Sequence, residues 1–226
     1  MNEKTLTPRL MTVAELVPQC KTCADIGCDH AQVSIWLARN GKADRIIASD
    51  VNEGPLSRAK NAVRAANLEG RITCVLTNGL DGIEPQDSVI IAGMGGDLIA
   101  DILSRAEWTK TGERTLILQP MTAAYRLREF LFQNGYSIVK ETYAAEKEKL
   151  YAIICAKPGQ EKYRDISELY ISRAGEADKS GGEYAKRIIK KLESELRGLL
   201  QAEEPNQKDI EHRRLAIELL QKRFKI

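Results

Sequence analysis

The stretch ADIGCDHAQVSIWLA, residues 24–38, decides how the rest of the chain is read. It passes from an apolar strand end through one glycine and a few polar residues into an amphipathic helix. A strand that stops at glycine just before a helix opens a ligand pocket at the carboxyl end of a parallel sheet. A pyrophosphate turn uses several glycines, so that backbone N–H groups can close on the phosphates. Here Gly27 stands alone, followed by Cys28, Asp29 and His30. The turn is poorly suited to a diphosphate.

Outward from this turn, apolar strand patterns at residues 23–26, 45–49, 72–76, 88–92 and 115–118 alternate with helical patterns at 32–40, 55–66, 96–105 and 123–134. Runs such as SVIIAG and TLILQ are apolar on both faces, as strands in a covered parallel sheet are. A short helix over 8–17 precedes them, with Thr7 as N-cap and Pro8 at its first position. After residue 135 the alternation stops. Two β-rich runs, 136–143 and 150–156, are joined by a charged stretch too short for a crossover helix, which predicts an antiparallel pair at one sheet edge. The expected fold is α/β and Rossmann-like: seven strands, five parallel and two in an antiparallel edge pair. That is the arrangement of class I methyltransferases. Lys157-Pro158-Gly159 breaks the chain, so residues 1–158 are read as the ligand-binding domain and 159–226 as a C-terminal helical domain. In the latter, Ile189, Leu192, Leu196 and Leu199, and then Ile210, Ile217 and Phe224, follow helical spacing on either side of EEPNQK, which predicts a coiled-coil-like hairpin.

Composition excludes some classes and leaves others open. The chain has 226 residues and a net charge of +2, too small to diagnose a nucleic-acid partner. No apolar run approaches the length of a membrane span, and the N-terminus has no export pattern. Five cysteines, an odd number with several in apolar runs, fit a reduced cytoplasm. Cys20 and Cys23 form a lone CxxC without a second pair, so no metal is expected.

The strand ends supply the chemistry. A ligand with an amino-acid portion, a sulfur centre and no phosphate suits the first turn, and S-adenosylmethionine answers that description. Asp25 and the backbone around Gly27 can take its ammonium. Asp29 reads either as a helix cap or as a site residue, and His30 either as a packed histidine or as a contact. Asp50, 25 residues after Asp25, falls where an acid accepts the two hydroxyls of a ribose, with Val51 beside it. In TNGLDG, Asn78 can meet an adenine edge, Gly79 offers its N–H, and Leu80 can cover the ring. In AGMGGDLI, Gly93, Met94, Gly95 and Gly96 make a backbone-rich lip, at a place where amino-methylating nucleic-acid enzymes often carry an Asn/Asp-Pro-Pro-aromatic motif that this sequence lacks. Gln119 and Pro120 end the fifth strand at the same crevice. On the tail, Lys186, Arg187, Lys190, Lys191, Arg213 and Arg214 are candidate phosphate contacts, although charge runs on helices are usually solvated faces.

Together, RL (Arg9, Leu10), ADIGCDHA, NEGPL, NGLDGI, IAGMGGDLI and LILQP resemble the bacterial tRNA adenine-22 N1-methyltransferase family, TrmK. The likeness spans about the whole chain. It departs from the family pattern at Cys28, at Gln32–Val33–Ser34 and at Met121. The resemblance implies methyl transfer from S-adenosylmethionine to N1 of a tRNA adenine, with tRNA as partner and Asp29 nearest the reacting atoms. It also implies substrate contacts at Arg9, Gly95, Gly96, Gln119 and Pro120. Three other readings remain at this stage: a methyltransferase for another acceptor, a nicotinamide-dependent oxidoreductase, and a non-catalytic adaptor that binds tRNA through its tail.

Overall fold

Strand β1, Cys20–Ile26, is the spine of the molecule: its last four residues are buried, and a strand pairs with it on each side. The computed structural model describes residues 6–226. Parallel to β1 run β2 (Ala43–Asp50) and β4 (Ser88–Gly95). Beyond these lie β3 (Ile72–Leu76) and β5 (Thr115–Thr122). The edge pair is β6 (Tyr136–Glu146) and β7 (Lys149–Pro158), joined by a two-residue turn; β7 runs antiparallel to β5. The sheet order is β3-β2-β1-β4-β5-β7-β6. The reversal of strand order beside β1 opens a crevice at the carboxyl ends of β1, β2 and β4, which is where ligands of open α/β sheets bind.

Helices α1 (Pro8–Leu16), α2 (Gln32–Arg39), α3 (Glu53–Ala65), α4 (Gly96–Ser104) and α5 (Ala124–Gln133) match the helical stretches read from the sequence. Thr7 caps α1, its hydroxyl accepting from the Leu10 N–H. The strands extend past their sequence-read ends because neighbours supply ladder partners where local propensity is weak. At β4, pairing continues through the glycine-rich lip, with register shifts on both sides of Met94.

Past β7 the chain forms two short helices, α6 (Ser167–Tyr170) and α7 (Arg173–Glu176), which the sequence pattern did not reveal because four residues show no periodicity. The long helices α8 (Gly181–Leu200) and α9 (Gln207–Phe224) follow, with Asn206 capping α9. They pack on each other, and the base of the pair is part of the main core. Tyr184, Ile189, Leu192 and Leu220 belong to the same buried cluster as Leu118 and Leu127. A buried ion pair fixes this junction. Arg128 donates to both carboxylate oxygens of Glu141, at 3.0 and 2.6 Å, and to the Leu169 carbonyl at 3.1 Å. Glu141 also accepts from the Tyr143 hydroxyl and the Ser172 N–H. Burial alone would raise Glu141, but the Arg128 charge and these hydrogen bonds outweigh it and hold the carboxyl below its usual range.

Candidate active site at the carboxyl ends of the first strands

The turn after β1 is built so that its amides face inward. Gly27 and Cys28 both donate to the Ser49 carbonyl, at 2.8 and 2.9 Å, and Ala31 donates to the Cys28 carbonyl. Those three N–H groups are consumed, so Gly27, Cys28 and Ala31 lend no amide to a diphosphate. Gly27 has φ +71°, a conformation a side chain resists, and a Cβ there would run into the Met94 methyl. Asp29 and Ala31 also lie at positive φ. Ala31, not Asp29, occupies the position before α2 and caps it with no side chain, so the helix-cap reading of Asp29 is corrected. Three left-handed residues in five turn the chain back before the helix begins, which projects Asp29 outward.

A cavity of about 280 Å³ opens beside this turn, lined by Arg9, Asp25, Gly27, Asp29, His30 and Gly93 among others. Cys28 also faces it, its thiol pushed up by burial, then by nearby Asp25. Asp25 forms the floor. Its Oδ2 accepts from the Ser34 hydroxyl at 2.6 Å, and burial raises its carboxyl to about 6 although the Ser34 bonds pull the other way. Asp29 sits at the rim, its side chain 59% exposed. It pairs with Arg58 of α3 at 2.8 Å and approaches His30 Nε2 at 3.9 Å. Arg58 was not foreseen: nothing in its neighbourhood in sequence announces that α3 reaches back across the rim.

At the end of β2, Asp50 Oδ1 accepts from the Asn52 N–H at 2.9 Å, while Oδ2 has no hydrogen bond among the described residues. Val51 beside it is 60% exposed, and neither residue lines the cavity beside the first turn. Asn78 is exposed after β3. Gly79 takes φ +62°, and a Cβ there would press on Ile102. Leu80 is packed into the core, so Val51 is the apolar surface the second strand end leaves open.

The lip divides in two. Gly93 has φ +81° and nothing within 4 Å of where a Cβ would stand, so it borders open space. Gly96 is a packing glycine: a Cβ would run into the Ala123 carbonyl, so α4 lies directly on the start of α5. Gly95 is close to Thr122 and of the same kind. Gln119 is fully buried and holds the lip in place. Its Oε1 accepts from the Gly93 N–H at 3.1 Å and from Arg9 Nη1 at 2.6 Å, and its Nε2 donates to the Pro120 carbonyl at 3.0 Å. Arg9 in turn donates to Glu146 at 2.8 Å. A chain of polar contacts thus runs from β6 through α1 to the lip. The long sequence separations hid it.

The candidate phosphate contacts of the tail also divide. Arg187 is bound to Glu183 and the Glu148 carbonyl, and Arg213 to Glu195. Lys186, Lys190 and Arg214 are exposed and make no ion pair among the described residues. Lys186 and Lys190 lie one turn apart on one face of α8.

A seven-stranded sheet with this order, a non-phosphate turn after β1 and an acid at the end of β2 define a class I methyltransferase, and a methyltransferase-domain family model matches residues 6–154. The chain is 39% identical to the tRNA (adenine(22)-N(1))-methyltransferase of Bacillus subtilis over 161 residues, 70% of this chain and 68% of the relative. The crystal structure of B. subtilis TrmK superposes with a TM-score of 0.81 at 31% identity, covering 97% of this chain and 99% of that one. M. capricolum TrmK, solved with the cofactor product S-adenosyl-homocysteine, gives 0.80 at 26% identity, with 97% and 98% covered. The chain belongs to the tRNA (adenine(22)-N(1))-methyltransferase family, TrmK.

Proposed function

We propose that this protein methylates N1 of adenine 22 in tRNA. The observation that carries the reading is the first turn: the Gly27 and Cys28 amides are spent on the Ser49 carbonyl while two carboxylates, Asp25 and Asp50, keep capacity to accept. That set of acceptors suits a cationic nucleoside without phosphate. S-adenosylmethionine, when bound, supplies a methyl group activated by its sulfonium. Asp25 and the backbone near Gly27 and Cys28 take the ammonium. Asp50 takes the ribose hydroxyls, Val51 covers the adenine, and Asn78 and Gly79 meet its edge. Gly93 and Met94 leave room for the target base.

N1 of adenine carries a free lone pair at neutral pH, so the protein needs no strong base. Its task is to hold the target nitrogen in line and exclude water. The methylated base is cationic, and Asp29 at the rim is the carboxylate placed to stabilise that charge or to accept from the exocyclic amine. Arg9 and Gln119 set the lip, and Gly95, Gly96 and Pro120 give it a rigid back. Paired adenine hides N1, so the base must leave its helix to react. Of the tail candidates, Lys186, Lys190 and Arg214 make no ion pair among the described residues and are placed to meet phosphate, with Arg187 and Arg213 serving to fix the tail. Residues 1–158 thus carry the chemistry and 159–226 grip the tRNA.

Among the described residues no helix is long and apolar enough to cross a membrane. With its five cysteines free, we place the protein in the cytoplasm. Incubation with labelled S-adenosylmethionine and unmodified tRNA, followed by nucleoside analysis, tests the reading. One equivalent of 1-methyladenosine at position 22 is expected, and label on any other acceptor overturns the assignment.

A further inference from the structure

Between the end of β5 and the face of α8 lies a second cavity, of about 110 Å³, outside the methyl-transfer crevice. Pro120, Met121 and Thr122 form one wall. Tyr151 forms another, and the Arg9 guanidinium lies over its ring, 5.7 Å from the centroid. Arg9 also lines the crevice, so the Tyr151 ring and the Arg9 guanidinium stacked on it separate the two spaces. Tyr125, Tyr170 and Tyr184 complete the aromatic lining. Tyr170 stacks on Tyr125 with centroids 5.5 Å apart, yet its buried hydroxyl has no hydrogen-bond partner. Burial, outweighing the nearby Arg213 charge, pushes that phenol up to about 12, so it stays a neutral donor. An unmet buried hydroxyl is costly and uncommon in folded proteins.

The cavity opens into a groove of about 560 Å³ that shares Tyr125, Lys191 and Glu195 with it and adds Arg126 and Arg213. Lys191 is 65% exposed and only 3.7 Å from Glu195, which Arg213 already holds at 3.2 Å. The ammonium is therefore available to an outside anion.

We infer that this cavity receives an unpaired nucleobase of the substrate RNA, next to the target adenine in sequence, and that the groove carries its phosphate past Arg126 and Lys191. The inference rests on the RNA-methylating reading above. Extruding the target adenine leaves its neighbour without a stacking partner, and tyrosine walls replace that partner without demanding one base identity. The Tyr170 hydroxyl and the Glu195 carboxylate answer the carbonyl and amino groups of a base edge. The thin partition matches the adjacency of two nucleotides on one strand.

The test pairs protein and RNA changes. Tyr170→Phe removes the unmet hydroxyl and keeps the ring, while Ala124→Phe fills the cavity from its wall. Each is assayed on intact tRNA and on transcripts abasic at each nucleotide flanking the target. For the wild type, one abasic transcript should lower kcat/KM about tenfold. Both variants should lose a similar factor on intact tRNA and nothing further on that transcript, with S-adenosylmethionine affinity by calorimetry within about twofold of wild type. The inference is overturned if no abasic position costs the wild type anything, if both variants match wild type on intact tRNA, or if the abasic penalty persists undiminished in them. A wild-type protein that binds cofactor but methylates no tRNA overturns the RNA reading and this inference with it, a result set apart by the inactive wild type.

Discussion

The two sides of the sheet treat polar groups in opposite ways. On the β5-β7-β6 side, Arg128, Glu141, Tyr143 and Ser172 saturate one another in full burial and bind the tail segment to the sheet. On the β1-β2-β4 side, the acids at the strand ends have one partner or an exposed one: Ser34 for Asp25, Asn52 for Asp50, Arg58 for Asp29. Saturation holds the fold together, whereas spare capacity at a strand end is what a ligand can use. If that division is right, a change on the closed side should cost stability, and a change on the open side should cost activity or affinity at nearly constant stability.

The largest effect tests the closed side. Arg128→Ala strands a buried carboxylate and should cost about 3–5 kcal/mol in urea unfolding. The double change Arg128→Met with Glu141→Leu should recover only part of it, because it removes the stranded charge but leaves the Tyr143 hydroxyl, the Ser172 N–H and the Leu169 carbonyl without these partners. Glu141 sits below its usual range in the fold, so the pair's contribution is present above the ordinary carboxylate pKa and is lost as pH falls through the lowered value. A single variant with wild-type stability would refute the picture of a locked junction.

On the open side, Asp29→Ala should lower the rate of methyl transfer by about a hundredfold, the range for removing one group aimed at charge that develops in the transition state. Its stability should move by less than about 1 kcal/mol, because the Arg58 pair it breaks is solvent-exposed. Cofactor affinity, read by calorimetry, should barely change. An equal loss in rate and affinity would make Asp29 a cofactor ligand instead.

Next comes Asp50→Ala, expected to weaken cofactor binding by about tenfold or more through the loss of charge-assisted hydrogen bonds. kcat at saturating cofactor should stay within a few-fold of wild type. An unchanged affinity would leave Val51 and the third strand end to hold the nucleoside without it.

Much of this architecture was legible before any coordinates. The strand–helix alternation, the lone Gly27, the acid 25 residues later and the short connection after Tyr143 suffice for fold class, antiparallel edge pair and cofactor class. Periodicity and turn chemistry are local, and those features are local. What the sequence hides is reach. Arg58 meets Asp29 across 29 positions, Arg9 meets Gln119 across 110, and Arg128 meets Leu169 across 41. No spacing rule links residues so far apart. The same holds for the glycines of the lip: GMGG reads as one open stretch, but only Gly93 borders space, because what fills the room near Gly96 is the turn before α5.

The smallest expected effect concerns Asp25, which belongs to neither side of the comparison: it is buried like the closed network and under-partnered like the open one. Burial raises its carboxyl to about 6, so it is partly protonated in mildly acidic solution. A protonated acid cannot pair with an ammonium, so cofactor affinity should be roughly fourfold weaker at pH 5.5 than at pH 7.5, with protein protons released on binding near pH 6. The stability profile follows from the same shift. The folded pKa exceeds the unfolded value near 3.9. Ionising Asp25 therefore opposes folding, and its cost grows from about pH 4 to about pH 6 and then levels off. Asp25→Asn keeps an acceptor for the Ser34 hydroxyl and removes the titration. It should bind cofactor more weakly than wild type at pH 7.5, flatten the dependence below 7, and unfold at higher urea than wild type above pH 6. If Asp25→Asn keeps the wild-type pH dependence of cofactor affinity, Asp25 is not the group that sets it, and its burial costs binding nothing.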